Sequence, residues 1–140
     1  MLDDLTEMEM RVLAMLEEAG EENAVITLNT VIDPSGDESE LTVFQAALRK
    51  LVDKKLIEIE LESIPKGRAP LTADEALVEV TQLKQHCRFL PDKGHWTDTR
   101  ENGPPYYQTP LPNLYLTEGG TSRSVEILEA RGYQWWRPVA

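Results

Sequence analysis

The sequence predicts a single α+β domain. Three observations point there. Three stretches of helical apolar spacing each begin with a capping residue. Two short segments, Leu56–Leu61 and Asn113–Thr117, read as strands instead. A chain of 140 residues with 41% hydrophobic and 28% charged residues suits one globular core.

The first helix starts at Thr6-Glu7-Met8-Glu9, a capping-box pattern with Thr6 as cap and Glu9 reaching back. Leu5 and Met10 stand at the hydrophobic-staple positions. Met8, Val12, Leu16 and Ala19 form its stripe, and Gly20 stops it. Residues 24–32 read as a short strand, running at most into a brief helix. Asp33-Pro34-Ser35-Gly36 then turns the chain. A second long helix is expected from about Glu40 to Lys54, capped by Ser39 or Asp37, with Leu41, Phe44, Ala47, Leu48 and Leu51 facing the core.

Residues 64–70 read as a loop. Thr72-Ala73-Asp74-Glu75 is a second capping box, opening a helix over 73–88 with Leu77, Val80, Leu83 and Cys87 as its stripe. Residues 91–113 hold Pro91, Pro104, Pro105, Pro110 and Pro112 with Gly94 and Gly103, and read as a stretch without regular structure: a functional arm, a partner-binding segment or a partly disordered one. Ser122 is placed to cap a closing helix that Gly132 ends. Tyr133-Gln134-Trp135-Trp136 follows as an aromatic tail, expected to cover a core or a subunit interface.

The net charge is −11, and its distribution matters more than its size. Residues 1–40 hold 12 acids and one base, Arg11, while residues 41–140 are balanced. Such an acidic end repels nucleic acid and anionic membranes unless it faces away from them. No apolar run exceeds the five residues Val12–Leu16, so no membrane helix is expected. The lone Cys87 excludes an internal disulfide, and the expected location is the cytoplasm.

Three stretches together resemble the winged helix-turn-helix family, in the form found in small bacterial repressors. They are Leu5–Leu13, like its opening helix; Leu48–Ile57, like the end of its recognition helix entering the first wing strand; and Tyr115–Gly120, like its second wing strand and the turn beyond. The resemblance covers about two-thirds of the chain and implies a single domain over 1–140. Two departures stand out. Lys55 occupies a position where the family usually has glycine. About 50 residues separate the two wing strands, so 64–112 becomes an inserted helix and Pro-rich arm. Alternatively, 73–88 is a separate packing or dimerisation helix and the hairpin is not a wing.

The resemblance implies a non-catalytic, DNA-binding transcriptional regulator. On the second long helix, Thr42, Gln45 and Arg49 would reach base edges and Lys50, Lys54 and Lys55 phosphates. Lys66 and Arg68 stand at the expected wing tip. Against this, Asp33, Asp37, Glu38 and Glu40 surround the helix start that would approach DNA. The alternative is a protein–protein interaction module on the same fold, without DNA binding. A homodimer is expected, using the 73–88 stripe and the Tyr133–Trp136 tail.

Catalysis and metal binding have little support. His86 and Cys87 point about 100° apart on a helix, and His95 lies in the arm. Glu58, Glu60 and Glu62 alternate as on a solvated strand edge. Tyr106–Pro112 suits an extended segment lying over the domain or held in an aromatic groove. No cofactor is expected.

Overall fold

The computed structural model describes residues 4–63, 67–99 and 111–138, and at 62–63 and 67–69 the backbone alone. Helix α1 runs Glu7–Ala19. Thr6 caps it, its hydroxyl oxygen accepting from Glu9 N at 3.2 Å. The Glu9 carboxylate does not complete the expected box; it is buried and faces Lys54 at 3.4 Å. A partnered carboxylate is less costly inside than an unpaired one. Gly20 ends the helix at φ 94, a value that favours glycine.

The stretch expected as a strand is mostly helical. Only Glu22–Asn23 form strand β1, and helix α2 spans Ala24–Val31. The Asn23 side chain accepts from Val25 N and Ile26 N, which supplies a helix start. That cap, together with burial of Val25, Leu28 and Val31, overrides the β-propensity of Val25, Ile26 and Thr27. Helix α3 follows as Glu38–Asp53, capped by Asp37 through Ser39 N at 2.9 Å.

Two hydrogen bonds close the end of α3. Leu56 N donates to Leu51 O at 2.9 Å, and Lys55 N to Val52 O at 3.0 Å. This is a Schellman turn, and its left-handed residue is Lys55 at φ 60. Strand β2 then covers Ile57–Ser63 and strand β3 covers Gly67–Pro70, where a loop was expected. Their register pairs Glu60 with Pro70 and Glu62 with Arg68.

The expected 73–88 helix is divided. Helix α4 is Ala73–Thr81, with both bonds of the Thr72/Glu75 capping box present. Short helix α5 is Leu83–His86, and strand β4 is Cys87–Leu90. The Thr81 hydroxyl turns back onto Leu77 O at 2.8 Å, a bond that competes with helix propagation. Cys87 therefore starts a strand rather than extending a helical stripe. Strand β5, His95–Asp98, pairs antiparallel with β4. Part of the expected structureless arm is thus a hairpin. Its rings explain it: Phe89 meets Trp96 edge-on, centroids 5.4 Å apart. Tyr106 to Pro110 of the arm lie outside the described residues.

Strand β6, Leu111–Leu116, returns between β1 and β2, giving the antiparallel order β1-β6-β2-β3. Its register with β2 runs from Ile57 opposite Leu116 to Glu62 opposite Leu111. Helix α6 spans Glu118–Arg131. Thr117 caps it, not Ser122, so Gly119-Gly120 lies inside the first turn rather than before it. A Cβ at Gly120 would fall on the Leu56 carbonyl, so only glycine lets α6 approach β2 this closely.

One core joins the elements. Leu41, Phe44, Leu48 and Leu51 meet Val12 and Leu16 in it, with Met8 partly buried at its edge. Trp136 is also inside, its Nε1 donating to Glu18 at 2.9 Å. The guanidinium groups of Arg11 and Arg131 both lie over the Trp135 ring, 5.1 and 4.6 Å from its centre. Trp135 and Trp136 therefore pack on their own chain, while Tyr133 is exposed. No helix among the described residues is long and apolar enough to cross a membrane.

Candidate functional site

The outer face of α3 is where the sequence gathers its candidate binding residues. Leu41, Phe44, Leu48 and Leu51 turn inward because they recur at helical spacing. That leaves Thr42, Gln45, Arg49 and Lys50 away from the core centre. Helix α4 then lies against this side of α3. Ala76 and Val80 of α4, and Leu83 of α5, are buried in the common core.

Gln45 holds the two helices together. It is 6% exposed, and its Nε2 donates to Val80 O at 2.9 Å and Thr81 O at 3.3 Å. The last carbonyls of a helix lack partners within it, so a side-chain amide is a suitable donor there. Gln45 thus faces α4 rather than solvent. Arg49 lies alongside, donating to Thr81 Oγ1 at 3.4 Å, and remains exposed.

The β4–β5 hairpin meets the first turn of α3 at Glu40, while Asp37, Glu38 and Ser39 stay exposed. Glu40 accepts from Ser35 N at 3.0 Å, Gly36 N at 3.2 Å and Trp96 Nε1 at 3.1 Å. Phe89 packs against Gly36. Asn29 clasps the hairpin from α2: its Nδ2 donates to Trp96 O and its Oδ1 accepts from Trp96 N, both at 2.8 Å. Hydrogen bonds from Ser39 hold the Asp37 carboxyl below its ordinary range. Glu38 faces Lys84 at 3.8 Å. The acids at this end therefore cap the helix and anchor the turn and hairpin. Asn29 was not legible as an anchor, because its partner is 67 residues away.

The remaining cations are divided. Lys54 Nζ donates to Asp4 O at 2.5 Å and lies 3.4 Å from Glu9 and 3.8 Å from Asp4. Its charge is thus engaged by α1 and the segment before it. The Arg123 hydrogen bond to Asp4 lowers that carboxyl from its ordinary value. Lys50 is exposed, as is Thr42, whose hydroxyl donates to Glu38 O at 3.4 Å. Arg68 sits on β3 opposite Glu62, and Lys66 lies outside the described residues. Helix α4 adds Asp74, Glu75 and Glu79 and no base.

Among the described residues, no three His, Cys, Asp or Glu side chains gather as a metal site would require. His86 ends α5 and Cys87 opens β4, where the thiol packs partly buried at the core edge. His95 Nδ1 lies 3.0 Å from Trp96 O. No protein-family model, curated protein or solved structure matches this chain.

Proposed function

We propose that the chain is a non-catalytic binding module of winged-helix type whose partner is a protein. The element order supports the fold reading: α1, β1, α2, α3, β2, then β6 returning between β1 and β2. In this reading α3 is the counterpart of a recognition helix, and 64–112 is an insertion between the wing strands. The observation that carries the choice of partner is the packing of that insertion on α3. Helix α4 engages Gln45, Trp96 of the β4–β5 hairpin donates to Glu40 in the first turn of α3, and α4 brings three further acids. Duplex DNA would meet carboxylates along most of this approach.

A second reading, a DNA-binding regulator, keeps one observation in its favour. Arg49 and Lys50 remain exposed on the last turns of α3. Fluorescence anisotropy with mixed-sequence duplex DNA, from low to physiological salt, separates the two. The protein reading expects no saturable binding even at low salt. Saturable binding that Arg49→Ala and Lys50→Ala weaken, with a salt slope lower by about 0.9 for each lost phosphate contact, would establish the DNA reading instead.

A further inference from the structure

A groove of about 480 Å³ lies between helix α2 and strand β5. That volume is within the range of small-ligand sites. Two periodicities build it. Asn23, Ile26 and Thr30 follow one another at spacings of three and four, so they share a side of α2 distinct from the buried Val25, Leu28 and Val31. His95 and Thr97 share one face of β5, while Trp96 and Asp98 are buried on the other. Lys93 and Gly94, in the hairpin turn, also line the groove. Its apolar surface is open to a ligand: Ile26 is 45% exposed and Pro34 is half-buried.

The polar groups here are available as well. Lys93 is exposed, and among the described residues neither its ammonium nor the Thr97 hydroxyl has a partner. Asn23 is only 9% exposed. Its Oδ1 caps α2 by accepting from Val25 N and Ile26 N, and its Nδ2 has no partner among the described residues. Water has little room to serve so enclosed an amide, so a ligand acceptor gains there. His95 Nδ1 lies 3.0 Å from Trp96 O. A carbonyl only accepts, so that nitrogen carries the proton and the neutral ring offers Nε2 as an acceptor. Asn29 already takes Trp96 N and O, so β5 has no open main-chain edge at that residue. An occupant is therefore held by side chains.

Charge selects the occupant. Helix α2 bears no charged residue, although residues 1–40 hold 12 acids. Among the described residues that line the groove, Lys93 is the one formal charge and there is no acid. The site thus favours an anion. Asp33 and Asp92 are exposed beside Pro34 and Lys93 in the sequence, and they oppose an anion of multiple charge. A single carboxylate, an N–H donor for His95 Nε2, a carbonyl for Asn23 Nδ2 and an apolar side chain for Ile26 are together the chemistry of a peptide's free end.

We propose that this groove captures the free C-terminus of a protein partner, ending in an apolar residue. Lys93 takes the terminal carboxylate, Asn23 and His95 meet main-chain groups, and Ile26 receives the side chain. Capture of a terminal carboxylate is a recurring mode of peptide recognition. The proposal rests on the protein-partner reading and names where that partner docks. The anisotropy experiment above tests that reading alone, since neither Arg49 nor Lys50 lines the groove.

Two-dimensional ¹⁵N–¹H NMR on the full chain tests the groove alone, with N-acetylated Ala-Val-Leu as probe. The peptide should saturably shift the Asn23 side-chain amide and the backbone amides of Gly94 and Thr97. Its C-terminal amide should bind weaker by about tenfold or more, having lost one charged hydrogen bond. Lys93→Met should weaken the acid by a similar factor and bring it level with the amide. Ile26→Ser should weaken both peptides, whereas Val43→Ser, exposed on α3 outside the groove, should change neither. The peptide-free spectra show whether each variant is folded, so loss of binding is not mistaken for unfolding. Absence of shifts at Asn23, Gly94 and Thr97, equal binding of acid and amide to wild type, or a preference for the acid that survives Lys93→Met would overturn the proposal. Acetate binding as tightly as the peptide would overturn the peptide assignment.

Discussion

Replacing Lys55 with glycine should make the protein more stable. The perturbation acts on one backbone angle. Lys55 sits at φ 60 in the turn that ends α3. An L-residue with a Cβ is disfavoured there by about 1–2 kcal/mol, because Cβ crowds the following carbonyl. The turn cannot relax to avoid this. Lys55 N is bound to Val52 O, Leu56 N to Leu51 O, and Thr117 N to Leu56 O at 3.1 Å. Glycine removes the clash but gives the unfolded chain more freedom, an opposing effect of about 0.4–1 kcal/mol. The net gain is about 0.5–1 kcal/mol, or about 2–4 °C per kcal/mol in Tm for a domain of this size. Urea denaturation followed by tryptophan fluorescence reads it well, since Trp96 and Trp136 are buried. Lys55→Ala is the control, because it removes the ammonium and keeps the Cβ. If glycine is no more stable than alanine, the strain argument is wrong.

Phe44→Ala should cost about 3–5 kcal/mol, since Phe44 is fully buried between α1 and the sheet; an effect under about 1 kcal/mol in the same assay would refute the core described here. Gln45→Ala should cost about 1 kcal/mol and raise amide exchange in α4 and α5 more than in α1, because it removes the donor to Val80 O and Thr81 O; uniform exchange would show that Gln45 does not anchor α4. The Asp37 carboxyl is lowered from its ordinary value of 3.8, so its stabilisation is complete above that pH and fades as pH falls through the lower folded value. Asp37→Asn should therefore differ most from wild type near neutrality, approach it as pH falls under the ordinary value of 3.8, and converge only below the lowered folded value; a pH-independent difference in urea midpoints would contradict this. Val80, Leu83 and Trp136 lie within the chain's own core, so the expected homodimer would have to use exposed residues such as Val43, Val78 or Tyr133; sedimentation equilibrium should then show a species of twice 15.9 kDa that Val78→Asp or Tyr133→Asp dissociates, and a 15.9 kDa species alone would refute it.

Local chemistry alone determined several features of this chain. Thr6, Asp37 and Thr72 cap their helices because a side-chain oxygen and its target amide lie within three residues. The α3 stripe of Leu41, Phe44, Leu48 and Leu51 follows from periodicity. The Leu56–Leu61 and Asn113–Thr117 segments read as strands from their own alternation, and they pair as β2 and β6. Tertiary structure decided the rest. Residues 24–31 became helical because Asn23 caps them and neighbouring elements bury them, against their own β-propensity. The β4–β5 hairpin exists where prolines and glycines suggested none, because Asn29, Glu40 and Gly36 hold it from distant parts of the chain. Gln45, Lys54 and Arg49 share a basic or polar identity that the sequence reads as a binding face. Their partners Val80, Glu9, Asp4 and Thr81 are 32 to 50 residues distant. A side chain's availability is set by what folds against it, and no short-range pattern carries that information.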